Sequence, residues 1–132
     1  MEPRLQPGLY IVATPIGNLG DVTARGMEVL RSVAAVACED TRVTGKLLHL
    51  LGIKQRLIRY DDHASEADRE RLLVLARREP VALASDAGTP LISDPGYRLV
   101  RAAREAGIAI TSLPGANAAI LARPEYLDGD AA

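Results

Sequence analysis

Short, uninterrupted apolar runs alternate along this chain with longer stretches of helical periodicity, and few architectures accept that rhythm. The runs are Gly8–Ala13, Ala34–Cys38, Arg56–Tyr60, Val81–Ala84 and Ile108–Leu113. Apart from the third, and from Thr111-Ser112 in the fifth, they are apolar without alternation, so they read as strands buried on both faces. Between them lie helical patterns with their own start and stop signals. Asp21 is placed to cap a helix running to about Ser32, and Thr41 or Thr44 to cap a second that Gly52 ends. Ser65 followed by Asp68 reads as a capping box opening a helix to about Arg78, which Pro80 stops. Tyr97–Ala106 is a fourth helix, closed by Gly107. This order predicts an α/β fold: an open doubly wound parallel sheet of about five strands with helices on both faces. Ligands of such sheets bind beyond the carboxyl ends of the strands.

At 132 residues the chain has room for one such domain. With no Phe, no Trp and four Tyr, its core must be aliphatic. Residues 1–7, with charges and two prolines, read as a disordered start, 8–121 as the domain and 122–132 as a frayed tail. No apolar run reaches the ~18 residues of a membrane span, and the amino terminus lacks the apolar centre of a secretory signal. One cysteine, Cys38, excludes an internal disulfide and a multi-cysteine metal site. It reads as a small buried hydrophobe. Together these features imply a cytoplasmic protein with no membrane partner and no metal.

Three turn-rich loops follow predicted strands: Thr14–Asp21, Ser85–Gly96 and Pro114–Asn117. Glycines let backbone approach a ligand, prolines hold loop shape, and each loop leads to a helix start with unpaired N–H groups. A single loop of this kind is ordinarily just a turn. Twelve residues from Ser85 to Gly96 are long for a strand-to-helix connection, however, and such loops tend to carry function. Neither a dinucleotide G-x-G-x-x-G nor a P-loop occurs, and neither does a nucleophile elbow or an H-E-x-x-H metal motif.

A local basic signal stands against the net charge of −1. Between Thr41 and Tyr60 lie Arg42, Lys46, Lys54, Arg56 and Arg59 with no acid. Arg42, Lys46 and His49 share one helix face, beside an expected buried stripe of Val43, Leu47, Leu50 and Leu51. Such cations suit phosphate contacts, although a solvated helix face would look the same. Without an interleaved aromatic, base stacking is not supported. Asp61, Asp62, Glu66, Asp68 and Glu70 then form an acidic, solvent-facing stretch, with His63 a surface residue among them.

Four blocks carry a family resemblance: Leu9 to Leu19 with Asp21; Glu39-Asp40-Thr41-Arg42 with Thr44, Leu47 and Leu48; Ser85 to Gly96; and Pro114-Gly115. In order and spacing this chain resembles, over about residues 8–121, the amino-terminal domain of the ribosomal RNA small-subunit methyltransferase I family, within the tetrapyrrole methylase superfamily. It departs from that pattern at Ala116-Asn117-Ala118, where the family usually has Pro-Ser/Cys-Ala.

The resemblance implies transfer of methyl from S-adenosylmethionine to the ribose 2′-hydroxyl of a cytidine in small-subunit (16S) rRNA. The implied partner is the 30S particle and the implied assembly a homodimer. It also implies a second α/β domain that completes the donor cleft. This chain is expected to lack that domain and to be inactive alone. The donor would be held by Pro15, Ile16 and Gly17; by Ser85, Asp86, Ala87, Gly88 and Thr89; and by Pro114 and Gly115. Asp86 would hydrogen-bond the donor's amino group or ribose, unless it caps its own loop; Asp94 reads as a turn or helix-start residue. Substrate contacts would fall to Glu39, Asp40, Thr41, Arg42 and Lys46, with the catalytic residue unassigned and Asp40 or Thr41 alternatively a helix cap. The competing readings are a tetrapyrrole-precursor methyltransferase and a non-catalytic binding or dimerisation domain.

Overall fold

The computed structural model describes residues 5–14, 22–86 and 94–113. Five strands and four helices alternate: β1 (Gly8–Thr14), α1 (Ala24–Ser32), β2 (Ala35–Cys38), α2 (Thr41–Leu50), β3 (Leu57–Arg59), α3 (Glu66–Arg78), β4 (Pro80–Asp86), α4 (Asp94–Glu105) and β5 (Ile110–Ser112). The strands form one sheet in the order β3-β2-β4-β1-β5, and every pairing is parallel.

Winding follows from chain order. The connections through α1 and α2 step towards the β3 edge; those through α3 and α4 step back towards β5. Right-handed crossovers of opposite direction must cover opposite faces. Accordingly Val29, Leu30 and Leu48 of α1 and α2 pack with Tyr10, Val12, Val36 and Ala82. On the other face Leu72, Leu73 and Ala76 of α3 and Leu99, Val100 and Ala103 of α4 pack with Leu9, Ile11, Val81 and Leu83. Neighbouring residues of one strand thus serve two cores, which is why the strands are apolar without alternation.

Several element ends differ from the sequence expectations. Thr23, not Asp21, caps α1, its hydroxyl accepting from the Gly26 N–H. Of the caps expected for α2, Asp40 is the one that forms, rather than Thr41 or Thr44. The Ser65–Asp68 capping box is present in full. β4 runs on to Asp86, because Ser85 and Asp86 pair with Ala13 and Thr14 of β1, so the loop after β4 is shorter than expected. α4 starts at Asp94 rather than Tyr97. Its first turn tolerates Pro95, since an N–H there has no intrahelical partner to lose.

Gly52 and Gly107 take positive φ just past α2 and α4, as expected of helix-ending glycines. Gln55 does what no local pattern announced. Its amide nitrogen donates to the carbonyls of Leu30 at 2.9 Å and Val33 at 2.6 Å, satisfying acceptors at the end of α1.

Candidate functional site

Parallel strands put all their carboxyl ends on one rim, and register fixes what meets there. Thr14 of β1 lies opposite Asp86 of β4, so these two strands end side by side, while β5 on the far side of β1 runs the same way and ends earlier, with Ser112 opposite Ile11. β1 and β4 are also where the winding diverges: the helix after β1 covers one face, the helix after β4 the other. A crevice opens at such a switch point. The buried Thr14 hydroxyl donates to the Ser85 carbonyl at 3.0 Å and ties the two strand ends together.

The predicted donor residues fall on this rim unevenly. Ser85 is half-buried at the end of β4, and Asp86 is its last residue. Pro15, Ile16, Gly17, Ala87, Gly88, Thr89, Pro114 and Gly115 lie outside the described residues, as do Ala116 and Asn117. The strands that precede them, β1, β4 and β5, are parallel and point their carboxyl ends to the same side of the sheet.

The Glu39–Arg42 block reaches the same rim one strand over. β2 pairs with β4 through Ala37 and Leu83, so Glu39 and Asp40 follow at about the level of Ser85 and Asp86. Both carboxylates are exposed. Asp40 is occupied as the cap of α2: it accepts from the Arg42 N–H at 2.9 Å and pairs with the Arg42 guanidinium at 3.5 Å. The amide bond is the main reason its carboxyl sits below the usual range, which makes Asp40 a poor base. Glu39 has no ion pair among the described residues. Cys38, just before it, is buried, and burial pushes its thiol pKa up despite a hydrogen bond with Thr44. It is a packing residue, not a nucleophile.

Arg42, Lys46 and His49 are exposed on one face of α2, as their spacing predicted. The stripe beside them differs from expectation. Thr44, Leu47 and Leu48 are buried, whereas Val43 and Leu50 are 62% and 58% exposed. β3, the strand beneath α2, is three residues long, so a narrow stripe rotated by one position covers it.

Two basic residues expected with this patch, Arg56 and Arg59, belong elsewhere. With Arg71 and Arg78 of α3 they line a groove of about 400 Å³ at the β3 edge of the sheet. The α3 arginines lie over ten residues further along the chain, and only the fold joins them to β3. The acidic stretch is partly internal: Asp61 accepts from the His63 N–H and pairs with Arg59, while Asp62 and His63 are exposed. No cluster of three or more potential metal ligands occurs among the described residues, and none of the described helices is long and apolar enough to cross a membrane.

Known proteins similar to this chain point one way. Residues 8–124 match the family model described as Tetrapyrrole (Corrin/Porphyrin) Methylases. The chain is 65% identical over 119 residues to a ribosomal RNA small subunit methyltransferase I of Erythrobacter litoralis, covering 90% of this chain and 42% of that protein. It is 56% identical over 118 residues to the protein of that name from Escherichia coli O157:H7, covering 89% and 41%. The chain thus spans about two fifths of the length of these curated relatives. Among solved structures, uroporphyrin-III-C-methyltransferase from Thermus thermophilus superposes with a TM-score of 0.62 at 31% identity, covering 85% of this chain and 49% of that one.

Proposed function

The chain belongs to the tetrapyrrole (corrin/porphyrin) methylases, and from that premise we propose that it is the donor-binding domain of an S-adenosylmethionine-dependent enzyme that methylates a cytidine 2′-hydroxyl in small-subunit rRNA. One observation carries the reading: β1 and β4 end level with each other at the sheet's switch point, with the parallel strand β5 ending on the same side next to β1. The residues there suit a small, polar, cationic molecule. Thr14 and Asp86 are the last residues paired between β1 and β4, and Ser85 adds a half-buried hydroxyl.

When bound, S-adenosylmethionine supplies a methyl group on a sulfonium, open to in-line displacement by a ribose oxygen. The chain's contribution is position and electrostatics. Thr14 holds the two central strand ends at fixed separation. Pro15, Ile16 and Gly17, with Ala87, Gly88, Thr89, Pro114 and Gly115, would cradle the donor, and Asp86 would take its amino group or ribose. Glu39, Thr41, Arg42 and Lys46, beside β4, would face the RNA. Asp40, bound to its own helix, serves that side by fixing where Arg42 starts. The second half of the cleft would come from a further α/β domain, and the natural unit would be a cytoplasmic homodimer acting on the 30S particle.

The tetrapyrrole-precursor alternative is disfavoured by identity: 56% and 65% to relatives named for rRNA, against 31% to a uroporphyrin enzyme. Calorimetric titration of the chain with S-adenosylmethionine and its demethylated product tests the donor site. Binding of both is expected, and heat from neither would leave a scaffold without a donor. Transfer of labelled methyl by the protein carrying both domains, to small-subunit particles but not to uroporphyrinogen, tests the substrate.

A further inference from the structure

The groove between β3 and α3 lies apart from the donor rim and from the exposed face of α2, and we infer that it is a second RNA contact, gripping a stretch of phosphodiester backbone. The inference rests on the rRNA reading above. Its walls are basic: Arg56 and Arg59 flank Ile58 on the strand side, and Arg71 and Arg78 line the helix side over Leu72. Asp68 is the only acid lining it among the described residues.

Spacing suits a linear polyanion. Three residues separate the strand-side pair, about 10 Å at 3.3 Å per residue. Seven separate the helix-side pair, about 10.5 Å at 1.5 Å per residue. The positive charge is therefore spread over both walls of the groove rather than gathered at a point. Guanidinium forks match phosphate oxygens in pairs. The floor is aliphatic and offers no stacking platform, so the backbone rather than the bases is what the groove can hold.

Two of the arginines carry carboxylate partners and two do not. Arg59 pairs with Asp61 and Arg71 with Asp68, both arginines being largely exposed. Exposed pairs of this sort exchange readily. Asp61 and Asp68 also accept backbone N–H bonds, from His63 and Ser65, so neither is stranded when its arginine turns to a phosphate. Arg56 and Arg78 form no ion pair among the described residues and hold the groove's unneutralised charge. β3 is the edge of the sheet, so a bound strand meets no neighbouring strand on the outer side.

The test is binding of a labelled single-stranded oligoribonucleotide to the full chain by fluorescence anisotropy over a range of salt concentrations. Each phosphate contact on a single strand contributes about −0.7 to the slope of log K against log salt. Arg56→Gln with Arg78→Gln should flatten that slope by about 1.4, while Arg56→Lys with Arg78→Lys keeps it. Arg78→Gln alone, in the exposed last turn of α3, should flatten it by about 0.7 and serves if the double variant unfolds. An unchanged slope in the glutamine variants overturns the groove while leaving the rRNA reading in place. Polyglutamate that binds the parent chain more tightly than RNA, and loses that affinity in the glutamine variants, would make the groove a peptide site and overturn it as well. A parent chain with no affinity for RNA removes the rRNA reading and the groove together.

Discussion

Asp40, Asp61 and Asp68 each hold a backbone amide: that of Arg42, His63 and Ser65 respectively. In all three the amide bond is the chief reason the carboxyl is held below its ordinary range, with arginine partners adding to it. A depressed folded pKa stabilises the fold fully above the unfolded value of about 3.9 and loses that effect as pH falls through the lower folded value. Stability should therefore drop in acid below about pH 4. Replacing all three with Asn keeps an acceptor but removes the titration, so denaturant midpoints of that variant should vary less with pH; an equal acid slope would mean other groups dominate. Gly8 is constrained differently. Its φ is +146°, and a Cβ there would sit 2.7 Å from the Ala109 carbonyl oxygen, a backbone atom that cannot swing aside. Gly8→Ala should cost about 1–3 kcal/mol in chemical denaturation, the range for a residue forced into a sparsely populated region.

Elements whose signals are local were legible; those decided by distant partners were not. The α3 capping box lies within four residues, and both halves form. The apolar runs marked β1, β2 and β4 because burial on two faces leaves no polar alternation to confuse with a helix, whereas β3 and β5, at the edges and only partly buried, carry weaker runs. The end of β4 was hidden, since Ser85 and Asp86 join the sheet only through Ala13 and Thr14, some seventy residues earlier. Asp21 was expected at the start of α1 because Asp is a good cap, but Thr23, as good a cap two residues on, accepts from Gly26 and starts the helix. Of the proposed donor site, the apolar runs that lead into its loops were legible, and register sets the ends of β1 and β4 level with each other; Arg71 and Arg78 were missed because nothing near them in the chain marks a groove. Gln55 was missed for the same reason. It precedes β3 yet bonds the end of α1, so Gln55→Ala leaves carbonyls without a donor and should cost about 1–3 kcal/mol in urea unfolding. A loss near zero would mean that water replaces it.

At the scale of the whole molecule, the doubly wound sheet separates what holds the fold from what binds. Gln55 and Val33 lie before their strands, at the amino end of the sheet; Thr14 and Ser85 lie at the carboxyl end. Two substitutions of comparable thermodynamic size therefore divide the functions. Thr14→Val preserves shape and removes one hydrogen bond, about 1 kcal/mol. It also frees the end of β1 from that of β4 where the donor loops begin. On the proposed reading it should weaken S-adenosylmethionine binding in calorimetry at a temperature where the chain stays folded, whereas Gln55→Ala should lower stability and leave that affinity alone. The same ligand should raise the unfolding free energy of the parent chain by about 2.7 kcal/mol at a hundredfold excess over Kd, through preferential binding to the folded state. Equal donor affinity in Thr14→Val and the parent would show that the tie between the central strands positions nothing, and the rim would then be a structural seam rather than the mouth of a site.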